Sequence, residues 1–447
     1  MKIWQKNSSL LHDSIESFTV GRDQEFDTLL AEFDVLGSLA HTQMLESIGL
    51  LTAAEFLEIR HELLAIYQDI KSGSFSIDST EEDIHSQIEA TLTKRIGETG
   101  KKIHSGRSRN DQVLVDIKLF LRNETLDIVA LVEQLFAQLQ SLSEAHKHHL
   151  MPGYTHLQLA MPSSFGLWFG AYAESLVDDM ELLLAAFRVI NKNPLGSGAG
   201  FGSSFPLNRT MTTELLGFAG LNHNVVYAQM TRGKTEKILS MALSSIAATL
   251  AKFSMDVCLY MNQQFGFIHF DDELTTGSSI MPHKKNPDVF ELIRGKCNRI
   301  QSLPNELTML CANLPSGYHR EMQLTKEILF PALKELKECL NIATFMLGHI
   351  HISSNILDNE LYTLLFSVEA VNRETVAGLP FREAYRKIGQ QIADRTFIPP
   401  KELLHTHEGS IGNLCNDKIK QIMTAIVGEF NGDDHRTALK KLIENKE

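Results

Sequence analysis

The stretch RSRNDQVLVDIKLFLRNETLDIVALVEQLFAQLQSLSEAHKHHLM, residues 107–151, contains neither Gly nor Pro. Those two residues interrupt regular structure most strongly, so their absence over such a span favours one continuous element. Apolar side chains fall at Ile117, Phe120, Leu121, Ile128, Leu131, Val132, Leu135, Leu139 and Leu142, mostly three or four apart, the spacing of one helix face. At about 1.5 Å per residue this helix reaches on the order of 50 Å, longer than a small domain is wide, and it needs partners along its length. Lys234 to Phe265 is a second breaker-free stretch. A third helical segment, rich in Leu and Ala, follows Pro162 with Ser163 or Ser164 as its cap. Its Gly166 and Gly170 are expected to allow close helix packing rather than to end the helix. No series of alternating segments joined by Asn-Gly or Asp-Gly turns is present. The sequence therefore predicts a mainly α protein built on a central long-helix bundle.

Around that bundle, three units are expected from a length of 447 residues. They are an N-terminal helical domain over 1–106, the central bundle domain over 107–357 and a small C-terminal helical domain over 358–447. Gly378, Pro380, Pro399 and Pro400 shorten the helices of the last, and Asp78-Ser79-Thr80-Glu81-Glu82-Asp83 offers cap chemistry in the first. Hydrophobic residues at 43% and charged residues at 22% describe a folded chain rather than a disordered one. Lys and Arg total 42 against 55 for Asp and Glu, a net charge of -13, and a field of that sign repels phosphate backbones and anionic lipid. No nucleic-acid partner and no membrane partner are expected. The five cysteines lack metal-ligand spacing and read as reduced thiols. Met1 to Lys6 lacks the apolar stretch of a secretory leader, so a cytoplasmic location is the expectation.

Chemistry concentrates in three segments. Thr276-Gly277-Ser278-Ser279-Ile280-Met281-Pro282-His283-Lys284-Lys285-Asn286-Pro287 compresses hydroxyls, cations and an amide between a Gly and a Pro, with Glu291 and Arg294 following. From composition alone an ordinary polar connection before a helix is the favoured reading. The order of the residues changes that weighting. The other two segments are Lys102-Ile103-His104-Ser105-Gly106-Arg107-Ser108-Arg109-Asn110-Asp111-Gln112 and Gly153-Tyr154-Thr155-His156-Leu157-Gln158. Arg107 and Arg109 place positive charge at a helix N-terminus, against the macrodipole, and an anionic ligand supplies a reason. His146, His148 and His149 sit at the opposite helix end, where a cation suits the dipole, and no metal or catalytic role is assigned to them.

The loop from Gly277 to Asn286 resembles the signature Gly-Ser-Ser-x-x-Pro-x-Lys-x-Asn of the fumarase/aspartase superfamily, whose members eliminate across a Cα–Cβ bond and mostly release fumarate. The other two segments are similar to the remaining active-site regions, in the forms typical of argininosuccinate lyases. The likeness extends to Gly37-Ser38 and His41, Glu82-Asp83-Ile84-His85, Pro194-Leu195-Gly196-Ser197-Gly198-Ala199, and Tyr318 with Gln323 and Lys326, and it covers most of the chain. The resemblance implies a three-domain fold and a homotetramer around a core of packed helices, each site taking its three motifs from three subunits. It implies cleavage of argininosuccinate into arginine and fumarate, as in arginine biosynthesis, with no metal or organic cofactor. Proton abstraction falls to Ser278, and proton relay to the leaving nitrogen falls to His156, oriented by Glu291. Substrate binding falls to Ser108, Arg109, Asn110, Thr155, Lys284, Asn286, Tyr318, Gln323 and Lys326. Such fixed cations and donors suit the dianionic aci-carboxylate that elimination produces.

This sequence also departs from the family pattern. Asp23 stands where Ser is usual, His283 replaces Gln, and Met230-Thr231-Arg232-Gly233-Lys234 keeps only the Arg of Ser-Asp-Arg-Asp-Phe. Leu159-Ala160-Met161-Pro162 replaces Arg-Ala-Gln-Pro. His283 points to the alternative of another fumarate-releasing lyase such as adenylosuccinate lyase. A non-catalytic, crystallin-like structural relative is the second alternative, and the retention of Ser278, His156, Lys284 and Asn286 argues against it.

Overall fold

Ser108 sets the start of the central helix. Its hydroxyl accepts from the Asn110 N–H at 3.2 Å, and Asp111 accepts from the Ser108 N–H at 2.9 Å, closing a capping box. In the computed structural model, which describes residues 13–78, 81–400, 403 and 405–444, the helix runs Arg109–Ala145, 37 residues, or about 55 Å. Its expected apolar face is the buried one. Ile117, Phe120, Leu121, Ile128, Val132, Leu135 and Leu139 are in the core, with Leu131 and Leu142 packed at its margin. Each buried side chain contributes about 1.5–3 kcal/mol, so packing rather than intrinsic propensity holds the helix.

Phe165–Ile190 and Leu324–Leu347 pack against the central helix, and Lys234–Met261 packs against both of them to complete the bundle. Ser164 is the cap of the first, its hydroxyl accepting from the Leu167 N–H at 3.1 Å. Gly166 does allow close approach: a Cβ there would lie 2.5 Å from the Lys147 Cα and 2.7 Å from the Ser143 carbonyl oxygen. Because backbone stands in the way, no flexible side chain relieves the overlap. Gly166→Val is expected to destabilise the protein by at least about 1–3 kcal/mol, read as a lower denaturant midpoint at unchanged m. Among the described residues, Lys234–Met261 alone is long and apolar enough to cross a membrane, and 61% of its most apolar window is buried inside the fold. It starts at Gly233, whose φ of +75° suits glycine, and where a Cβ would lie 2.6 Å from the Cys311 sulfur. That contact accounts for Gly after Arg232 in the divergent segment.

The N-terminal residues add Ala31–Ser47, Ala53–Lys71 and Ile84–Ile96. Asp83 caps the last, accepting from the Ser86 N–H at 2.8 Å; Ser79 and Thr80 of the expected cap region, and Met1 to Lys6, lie outside the described residues. Beyond Asp358, Ala370, Val371, Ala384 and Ile388 enclose a small apolar core of their own. Ile419, Met423, Ile426, Phe430 and Leu442 instead join the main core. All five cysteines are free thiols, Cys297 and Cys339 buried. Among the described residues, three short antiparallel ribbons complete the architecture.

Candidate active site

The head of the central helix faces the start of Leu324–Leu347 across a cavity of about 190 Å³, whose lining includes Arg109, Asn110, Tyr318, Gln323 and Lys326. Five of the expected binding residues, far apart in sequence, thus meet. Arg109 is held by its neighbours. Its Nη1 lies 3.3 Å from both Glu82 and Asp83, and its Nη2 donates to the Ser86 hydroxyl at 2.6 Å. Arg107 donates to the Ser38 hydroxyl at 2.9 Å. The cations that the sequence reading assigned to an anionic ligand therefore already have protein partners, which fix the Arg109 guanidinium before any ligand arrives.

Lys326 is buried, bonded to Asp27 and 2.7 Å from Asp23. Burial raises the Asp23 carboxyl above its ordinary pKa, against the pull of the Lys326 ammonium. Asp23, one of the departures, thus serves as a partner of Lys326. Gln323 donates to the Thr19 carbonyl at 3.1 Å, and Arg320 donates to the same oxygen at 2.9 Å and to Glu82 at 3.1 Å. The wall carries both signs of charge, which suits a zwitterionic ligand better than a simple anion.

Two supports escaped the sequence reading. Asp111 is buried, and its Oδ2 accepts from the N–H groups of Gly196 and Gly198, both at 2.9 Å. This pins the Pro194 to Ala199 segment to the helix start, and burial, partly offset by these bonds, pushes the Asp111 carboxyl up to about 6. Behind Arg107 and Arg109, Asp34, His85 and Asp116 form a buried cluster whose ligand atoms lie within 4.8 Å of one another. His85 Nδ1 is bonded to Asp34, which also accepts from Gln112 at 2.8 Å and from Ser38 at 3.4 Å. Burial, and then the Asp34 charge, push Asp116 well above the usual carboxylate range. Burial and the Asp34 charge favour the neutral form of Asp116, while the surrounding carboxylates favour the protonated form of His85, so the cluster fits a shared proton better than a metal ion. The signal available in the sequence was the run of polar residues inside helices that are otherwise core.

Thr155 and His156 sit elsewhere, on a hairpin of Leu150–Thr155 and Gln158–Ser164 that the sequence reading did not include. Thr155 pairs with Gln158, and the turn is made by His156 and Leu157 at φ of +54° and +56°. This is the sense a two-residue hairpin turn needs, here without the usual Asn-Gly. The tip is exposed, Leu157 to 76%. Ser278 lies in the loop closed by a second small ribbon, Thr276–Gly277 with Lys285–Asn286. Its Oγ accepts from the N–H groups of Ile280 and Met281 at 3.3 and 3.2 Å. Asn286 donates to the Thr276 hydroxyl at 3.4 Å, while Lys284 and Glu291 are exposed. Neither the hairpin residues nor Ser278, Lys284, Asn286 and Glu291 line the cavity around Arg109. Among the described residues no hydrogen bond or ion pair joins His156 to Glu291.

Solved structures share this fold. An EDDS lyase in complex with formate matches with a TM-score of 0.75 at 19% identity, covering 96% of this chain and 93% of that one. The class II fumarase of Schistosoma mansoni matches at 0.69 with 14% identity, covering 92% and 94%. A family profile described as Lyase matches residues 14–302. Argininosuccinate lyase of Bacteroides thetaiotaomicron is 58% identical over 442 residues, 99% of each chain, and that of Parabacteroides distasonis is 57% identical over the same shares. The chain belongs to the argininosuccinate lyase family.

Proposed function

We propose that the protein splits argininosuccinate into L-arginine and fumarate, the last step of arginine biosynthesis. The observation that carries this reading is the single cavity joining Arg109 and Asn110 to Tyr318, Gln323 and Lys326, in a chain 58% identical to an argininosuccinate lyase along its length. Ser278 takes the proton from the carbon β to the bridging nitrogen, the N–H groups of Ile280 and Met281 favouring negative charge on its oxygen. The freed electron pair spreads into the adjacent carboxylate, and the resulting dianion is held by Lys284, Asn286, Thr155 and the Ser108 to Asn110 donors. The C–N bond then breaks as the C=C bond of fumarate forms. Its electron pair leaves on the guanidinium nitrogen, which takes a proton through His156, oriented by Glu291. The reaction is redox-neutral, and this reading uses no metal or organic cofactor.

The same reading assigns the chain to a cytoplasmic homotetramer with domains 1–106, 107–357 and 358–447 and with sites shared between subunits. Exposed Leu182, Met241 and Met255 on the bundle helices, Leu292 on the helix Asp288–Ile300, and Leu157 on the hairpin tip support it as surface left for neighbouring copies. Ultraviolet absorbance of fumarate, followed with argininosuccinate and with adenylosuccinate, tests the activity. Fumarate is expected from argininosuccinate. Release from adenylosuccinate alone would replace this reading by the sister enzyme, and release from neither by a structural role.

A further inference from the structure

His85 is a cavity residue that these roles leave unused. It lies in the first turn of helix Ile84–Ile96, is 6% exposed, and lies in the wall with Arg109 and Asn110. Its Nδ1 is bonded to Asp34, and Asp116 Oδ2 stands 3.6 Å away. Because Gln112 and Ser38 fix Asp34 in turn, turning the ring over would forfeit a buried charge-assisted bond. That bond leaves Nε2 as the opposite ring edge, and no group among the described residues bonds to it. Charged groups approach from every side: Asp34 on Ala31–Ser47, Asp116 and the nearby Arg107 and Arg109 at the head of the central helix, Asp83 on the preceding turn, Asp27 beside Lys326, and His104. Burial disfavours a charged ring, but Asp34, Asp83 and Asp27 outweigh it and the net direction is toward the cation.

We propose that His85 is a carboxylate-binding residue of the cavity: anchored on Asp34 through Nδ1, it donates its Nε2–H to a carboxylate of the bound ligand. Asp34 is then its positioning residue. The proposal rests on the argininosuccinate reading for the identity of that ligand, whose carboxylates lie at two ends. Succinate and L-arginine, titrated separately, represent those ends.

The test compares the unmutated protein with His85→Asn and His85→Gln by calorimetric titration of each probe. Asn keeps a donor where Nδ1 meets Asp34 but has nothing at the Nε2 place. Gln reaches the Nε2 place and gives up Asp34. The expected result is at least about tenfold weaker binding of one probe by His85→Asn, the strength of one charge-assisted hydrogen bond, with partial recovery in His85→Gln. A purely structural histidine gives the reverse order, and that order overturns the proposal. Should neither variant fold, the pH dependence of probe affinity in the unmutated protein decides. The cation is present below the ring's pKa, which the neighbouring carboxylates raise, so affinity falls as pH rises from neutral into the alkaline range, and a flat profile for both probes overturns the proposal. Absence of fumarate release from argininosuccinate would sink the proposed activity alone, leaving these binding outcomes readable.

Discussion

Ser278→Ala is expected to lower fumarate release by about 10²–10⁴-fold, the range for removing a positioned proton acceptor. The Oγ is an acceptor from two backbone N–H groups within its own loop, so alanine deletes the reactive oxygen while leaving the Thr276–Gly277 and Lys285–Asn286 ribbon paired. The loss therefore falls in kcat, with KM and the unfolding midpoint close to those of the unmutated protein. A variant that keeps full kcat would remove Ser278 from the mechanism. Mixing adds a second reading. If Ser278 and His156 of one site come from different subunits, an equal mixture of Ser278→Ala and His156→Asn leaves half the donors of each residue intact. One site in four, about a quarter of the activity, is then restored. If both residues came from one subunit, every site would carry a lesion, and no recovery would follow even after confirmed subunit exchange.

The long helices were legible because their signals are local: missing breakers, apolar spacing and the Ser108 and Ser164 caps. The hairpin carrying His156 was not, because its turn uses His156 and Leu157 in the left-handed region rather than Asn-Gly, and nothing in residue type announces that. The three motifs could be named from their order, but within one chain the hairpin residues and the Ser278 loop stand apart from the cavity around Arg109. The buried cluster was hidden for another reason. Asp34, Asp116, Lys118 and Arg122 are fully or almost fully buried inside helices, where a sequence reading takes charged residues for a solvated face. Lys118 bonds to Asn222 at 2.7 Å, and Arg122 donates to the carbonyls of Leu216 and Gly217 at 2.8 and 3.0 Å. Their partners lie across the fold, beyond the reach of any periodicity.

Lys326→Met is expected to destabilise the protein by about 3–5 kcal/mol at neutral pH, because removing one partner of a buried ion pair strands the other. The side chains of Lys326 and Asp27 are each 2% exposed, and that of Asp23 is 20% exposed. Methionine fills much of the volume but leaves two carboxylates facing an uncharged thioether. The sign of the pH dependence follows from Asp23. Its folded pKa is already raised by burial, with the Lys326 charge opposing, and the substitution removes that opposition. A carboxyl whose pKa is higher in the folded than in the unfolded state destabilises the fold above that pKa, and the penalty fades as pH falls through it. The deficit of the variant should thus be largest at neutral pH and narrow on mild acidification. Denaturant midpoints at the two pH values measure it, and adding Asp27→Asn should recover part of the loss, since neighbouring sites couple. A deficit below about 1 kcal/mol, the level of an exposed pair, or one that ignores pH, would mean that Lys326 does not hold the short helix Asp23–Asp27 against the cavity wall.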